Sequence, residues 1–156
     1  MSAASGVWRT PEGFALSLSE EERELLRNLQ TQLTSLLAEA PADPSLRRLF
    51  PPAYEEDDRA EEEYRELMQG DLTESHREAL GVVEQTIDRE YLVEAEAHSW
   101  LAALNSLRLA LGTRLGVTEE LYDEFDPRGP DAPAIGVYLY LTWLQEQFVE
   151  ALATGL

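Results

Sequence analysis

Apolar positions fall into recognisable periods along most of the chain. In "GVWRTPEGFALSLS", Val7 and Trp8, then Phe14, Leu16 and Leu18, alternate with polar residues around a Pro-Glu-Gly turn. That period of two predicts a short β-hairpin or an extended arm. Gly13 can supply the positive φ of the turn. An isolated hairpin is marginal in water, so this one is expected to lie on the body of the protein.

The period then changes to that of a helix. "SEEERELLRNLQTQLTSLLAEA" places Leu25, Leu26, Leu29, Leu33, Leu36 and Leu37 on one stripe. Ser19 reads as the N-cap and Glu22 as its partner in a capping box, and Pro41 ends the helix. "DPSLRRLF" predicts a short helical turn. Pro51-Pro52 opens a strongly acidic helix, which Gly70 is expected to close. A third long helix follows, with His76, Leu80, Val83 and Ile87 on one face. A fourth runs through "EAEAHSWLAALNSLRLALGTRL" to Gly116. "VTEELYDEFDPRGPDAP" reads as a loop, and "AIGVYLYLTWLQEQFVEAL" as the last helix. No repeat of fixed period is evident. The prediction is a mainly α protein of one bundle domain. About five helices occupy 19–156, and the hairpin or arm, 1–18, packs on them.

Composition narrows the function. The chain of 156 residues has a formal net charge of -19. So negative a surface repels phosphate backbones and anionic lipid and favours basic partners. Direct nucleic-acid or membrane binding is not expected. There is no cysteine, which removes disulfides, thiolate metal sites and cysteine nucleophiles. All twelve cations are arginine, so Schiff-base lysines and a P-loop lysine are absent too. No signal peptide or membrane-spanning run is visible, and a cytoplasmic location is expected.

Eight of the twelve residues from Glu55 to Glu66 are acidic. On a helical wheel Ala53, Ala60, Tyr64, Leu67 and Met68 gather on one side, and Glu55, Arg59, Glu62, Glu63 and Glu66 fall largely on the other. Most of the acidic run therefore reads as a solvated face. Asp57 points among the apolar residues, beside Tyr64. Arg108 does the same among Leu101, Leu104, Leu111 and Leu115 of the fourth helix. Two inward charges of opposite sign suggest a pair between helices, with Asp58 and Arg114 as fallback partners. The alternative is that Arg108 snorkels to solvent along its own stem.

Catalytic and metal signatures are missing. Glu-x-x-His, which a carboxylate-bridged metal bundle needs twice, does not occur: Thr73 precedes His76 by three and Ala95 precedes His98 by three. Glu94 and His98 share a face, but two ligands are not a site. His76 reads as a satisfied, half-buried histidine. No Gly-x-Ser-x-Gly or phosphate-binding glycine loop is present. No catalytic residue, metal or cofactor is expected. On the last helix, Val137, Tyr138, Leu141, Leu144, Phe148, Val149 and Leu152 form the expected core stripe. Leu139, Tyr140 and Trp143 stand apart from it with Gln147 alongside, a candidate interface. It would be covered by the arm, bringing Trp8 and Phe14 against Trp143, or by a second subunit.

Three blocks carry a family resemblance: "LRRLFPPAYEEDDRAEEEYRELMQGDL" (Leu46 to Leu72), "WLAALNSLRLALGTRLGVTEE" (Trp100 to Glu120) and the C-terminal "YLYLTWLQEQFVEAL". In this order they resemble an actinobacterial family of uncharacterised domains over nearly the whole chain. The all-arginine, alanine- and leucine-rich composition suits a GC-rich genome of that kind. The family includes the actinomycete oxidative-stress regulator, a redox-responsive partner of the transcription machinery, and its genes often lie near that of the ClpS proteolysis adaptor. The resemblance implies a non-enzymatic regulator in transcription or stress response, acting through a protein partner; whether the chain is a monomer or a homodimer stays open. An adaptor for Clp-type proteolysis and a small-molecule hydrolase or ligand-binding bundle are the alternatives. Thiol-disulfide sensing cannot carry over to a chain without cysteine. Positions matching the blocks include Tyr54, Asp57, Asp58, Tyr64, Arg65, Asn105, Arg108, Gly112, Thr113 and Arg114. Together with the wheel, they suggest a polar network of Asp57, Asp58, Tyr64, Arg65, Asn105, Arg108 and Arg114.

Overall fold

Ser19 starts the first helix as its side chain dictates. In the computed structural model its hydroxyl accepts from the Glu22 N–H, and the Glu22 carboxylate accepts from the Ser19 N–H, both at 3.1 Å. The structure describes residues 5–40, 43–49, 58–116, 128–129 and 131–154, and for 58–69 the helical backbone alone. Helix α1 spans Glu20–Glu39 and buries Leu26, Gln30, Leu33 and Leu37. A 3-10 helix, Pro44–Leu49, follows, begun by Asp43, which accepts from the Ser45 N–H at 2.9 Å.

Before α1 lie β1, Gly6–Thr10, and β2, Gly13–Ser17, an antiparallel hairpin closed by Pro11 and Glu12. A third strand, β3, Tyr91–Leu92, adds to β2, giving the order β1-β2-β3. Gly13 has φ +150, and a Cβ there would stand 2.8 Å from the Leu92 carbonyl oxygen. Glycine is therefore what lets β3 approach the turn.

Helix α2 spans Asp58–Thr86 as one piece of 29 residues. This corrects the expectation that Gly70 ends the acidic helix and a new one follows. Gly70 does not adopt positive φ, so no left-handed cap forms there. A glycine inside a helix costs only about 1 kcal/mol, which the packing of Ala79, Leu80 and Val83 readily outweighs. Gly116 behaves as expected: at φ +67 it caps α3, Glu94–Leu115, its N–H reaching the Gly112 and Thr113 carbonyls. Helix α4, Ala132–Ala153, completes the bundle.

Trp100 of α3 is the centre of the core, fully buried and stacked on Phe148 of α4 at 5.6 Å between ring centroids. Its indole N–H donates to the Thr86 hydroxyl at 2.7 Å, and that hydroxyl donates to the Val82 carbonyl at 2.6 Å. Every polar atom of this buried contact is thereby satisfied. Phe14, Leu16, Leu26, Leu46, Leu80, Leu104, Leu141 and Leu144 belong to the same core. The sheet thus lays one face on the helices, and on its other face Trp8 and Tyr91 are exposed on either side of a buried Ala15.

Candidate protein-interaction surface

Helix α4 presents its buried stripe, Ile135, Tyr138, Leu141, Leu144, Phe148 and Ala151, to the core. Val149, expected in that stripe, is exposed, and Ile135 and Ala151 take inward places. The segment is apolar nearly all round, so the wheel defines its inner edge poorly.

The remaining aromatic side is held in place by the N-terminus of the chain. Tyr140 donates its hydroxyl to Glu22 at 2.6 Å, and Ser5 donates to the other oxygen of the same carboxylate at 2.6 Å. Burial alone would raise the Glu22 carboxyl. The bonds from Ser5, Tyr140 and Ser19 outweigh it and hold the group below the ordinary carboxylate range. Burial, and then the Glu22 carboxylate, push the Tyr140 phenol far above its ordinary value. One residue pair therefore has an ionised acceptor and a firmly neutral donor.

Trp143 lies beside Tyr140, with ring centroids 5.9 Å apart. Gly6, at φ +131, passes so close that a Cβ would stand 3.1 Å from the Gln147 amide oxygen and 3.7 Å from the Trp143 ring. Arg9 anchors the far end of β1, donating to the Ala151 and Leu152 carbonyls at 3.3 and 3.4 Å. These are C-terminal carbonyls of a helix, where a cation is favoured. The strand thus runs beside α4, yet Leu139 and Trp143 stay 37% and 38% exposed. Phe14 turns into the core instead, and Trp8 remains 45% exposed.

Of the suggested polar network, Asp57 lies outside the described residues, and so do the side chains of Asp58, Tyr64 and Arg65. The proposed contact of Asp57 with Arg108 therefore has no described geometry. On α3, Asn105 gathers two donors: Arg108 Nη2 and Gln145 Nε2 each approach its Oδ1 at 3.4 Å. Arg108 Nε and Gln145 Oε1 are buried and find no hydrogen-bond partner among the described residues. Gln145 was not legible as a member of this group, since nothing beside it on α4 points to residue 105. Arg114 is exposed and lines a groove of about 440 Å³ between α1 and α3, walled by Leu29, Leu33, Leu36, Leu107 and Leu111.

His76 is half-buried, as its wheel position suggests. Its Nε2 bonds the Leu49 carbonyl at 3.2 Å, and its Nδ1 bonds the Ser106 hydroxyl at 3.1 Å. The pair joins the 3-10 helix, α2 and α3. Ser106 is buried, its hydroxyl lying between His76 Nδ1 and the Ala102 carbonyl, each 3.1 Å away, so this serine–histidine contact is a strut between helices and offers no open nucleophile. Among the described residues, no three His, Asp or Glu side chains converge as metal ligands, and no helix is long and apolar enough to cross a membrane.

Two mycobacterial proteins named "Oxidative stress regulator AosR", from Mycobacterium bovis and Mycobacterium tuberculosis, are each 31% identical to this chain. Each alignment spans 183 residues, covering 87% of this chain and 80% of the relative. A protein from Mycobacterium leprae is 33% identical over 132 residues, 74% of this chain and 61% of its own length. These relatives are named as regulators rather than enzymes. No solved structure matches the chain significantly. Residues 1–152 match the family described as "Domain of unknown function (DUF2017)", and the chain belongs to that family.

Proposed function

We propose that this protein is a non-enzymatic regulator of a stress response that acts through protein–protein contacts, on the transcription machinery or a factor bound to it. The observation that carries this reading is the outer side of α4. Leu139 and Trp143, one helical turn apart, keep over a third of their surface in water while Tyr140, Gln147 and the β1 backbone hold their surroundings rigid. Exposed tryptophan on a preorganised support is the composition of an interface hot spot. The names of the mycobacterial relatives supply the biological setting, and the charge of -19 supplies the preference for a basic protein over DNA. Any redox signal would reach this chain through its partner or a ligand, since it has no thiol of its own.

The test is capture from an actinobacterial lysate with the tagged chain, read by mass spectrometry, against a Leu139→Ala/Trp143→Ala control. Recovery of a transcription component by the unaltered chain and not by the control is expected. Recovery of proteolytic Clp components instead would favour an adaptor, and identical recovery by both would remove α4 as the surface. Light scattering of the unaltered chain and Trp143→Ala shows whether the face joins two copies instead.

The groove between α1 and α3 favours a second reading, a ligand-binding bundle. Its size and leucine-rich walls suit a small apolar molecule, with Arg114 and Glu39 as the polar groups at its rim.

A further inference from the structure

The face of the sheet opposite Phe14 and Leu16 carries two aromatic residues that the fold does not bury. Register pairs Trp8 with Ala15, and Ala15 with Tyr91. Directly paired side chains share a face, so these three form one row across all three strands. The neighbouring rows, Val7 with Leu16 and Arg9 with Phe14 and Leu92, belong to the opposite face, where Val7, Phe14, Leu16 and Leu92 enter the core. At about 4.8 Å per strand, Trp8 and Tyr91 stand roughly 10 Å apart at their backbones, on either side of an alanine. Trp8 is 45% exposed and Tyr91 58%.

What surrounds the row is acidic. Glu12 occupies the β1–β2 turn and Glu90 immediately precedes β3, and both are exposed; Glu94, just after β3, is instead paired with Arg9 at 3.9 Å. Aromatic faces attract cations through their quadrupole, arginine most often, and adjacent carboxylates add to the attraction. The chain already uses this contact on the other side of the same sheet, where the Arg9 guanidinium lies 4.8 Å from the Phe14 ring centroid.

From this juxtaposition we infer that Trp8 and Tyr91 form a receptor for an arginine-bearing segment of a basic protein partner, its guanidinium groups lying against the exposed rings and within reach of Glu12 or Glu90. The inference rests on the reading that the protein works through protein contacts, and it names the chemistry of the partner. A second copy of the chain is the wrong occupant, because two bodies of charge -19 repel. Nucleic acid and anionic lipid are excluded on the same ground.

The probe is a short peptide of alternating glycine and arginine, compared with its citrulline counterpart, which keeps the shape and loses the charge. Binding is followed by NMR at the Trp8 indole and the Tyr91 ring. The arginine peptide is expected to shift both, and the citrulline peptide neither. Trp8→Leu and Tyr91→Leu each weaken binding roughly two- to fivefold. Leucine keeps an apolar side chain at a half-exposed position, so the fold persists, and circular dichroism checks it. Equal binding of the two peptides, or unchanged affinity in both leucine variants, overturns the assignment. Lysate capture that survives both substitutions overturns it too and leaves the protein-contact reading standing. Arginine-specific binding lost in the variants, with no protein captured by the unaltered chain, supports the receptor and removes the wider functional reading.

Discussion

Tyr140, 118 residues beyond Glu22 in the chain, donates its hydroxyl to that carboxylate at 2.6 Å. The same carboxylate closes the capping box of α1, so the last helix is fixed to the first turn of the first.

Tyr140→Phe is expected to cost about 1 kcal/mol, the net worth of one hydrogen bond to a charged group reduced by the solvent around Glu22. Two pH windows identify the pair. The folded state holds the Glu22 carboxyl below its ordinary 4.5, so its stabilisation is present above that value and is lost as pH falls through the folded value. The urea-midpoint difference between the unaltered chain and Glu22→Gln should therefore close in acid. The Tyr140 phenol is raised above its ordinary 10.0, so its contribution is present at neutral pH and declines as pH rises beyond 10. The difference from Tyr140→Phe should close in alkali. Parallel profiles for both variants would contradict the assignment.

Thr86→Val is expected to destabilise by about 1–3 kcal/mol, because it strands the buried Trp100 indole N–H. Thr86→Ser keeps the acceptor and should recover most of that loss. Thermal unfolding measures it, at roughly 2–4 °C per kcal/mol for a chain of this size.

Two glycine substitutions should move stability in opposite directions. Gly70→Ala lies inside α2 with open space at the new Cβ, and is expected to stabilise by about 0.5–1 kcal/mol. Gly13→Ala combines a φ of +150 with a Cβ 2.8 Å from the Leu92 backbone oxygen, and should cost more than about 1 kcal/mol. Chemical denaturation of both variants decides this.

Duplex DNA should not bind at physiological salt. The charge of -19 opposes it, and the twelve arginines are spread along the chain without a basic stripe. Fluorescence anisotropy should show no saturable binding below the micromolar range; salt-sensitive submicromolar binding would revive a helix-turn-helix reading of α2 and α3.

Local signals carried most of the fold. Ser19 and Glu22 announce a helix start because the two residues satisfy each other within one turn. Gly116 announces a stop because the left-handed cap needs it. Gly70 misled because a glycine is only a weak helix breaker, and whether a helix crosses it depends on packing elsewhere. The partner of Tyr140 was not legible, since nothing near residue 140 points to residue 22. The Asn105–Gln145 contact was hidden likewise: a wheel shows that Arg108 faces inward, and cannot show which side chain of another helix meets it. The exposed row of Trp8 and Tyr91 depends on β3, a two-residue strand too short to have a period.

The bonds from Arg9 to the last turn of α4 also set the order of assembly during synthesis. A two-strand ribbon is marginal alone, and the side of β1 that includes Val7 and Arg9 finds its support on residues some 140 positions later. Those residues are synthesised well after the ribbon. The ribbon is therefore made long before its support, and cannot be seated until the last turn of α4 has been synthesised.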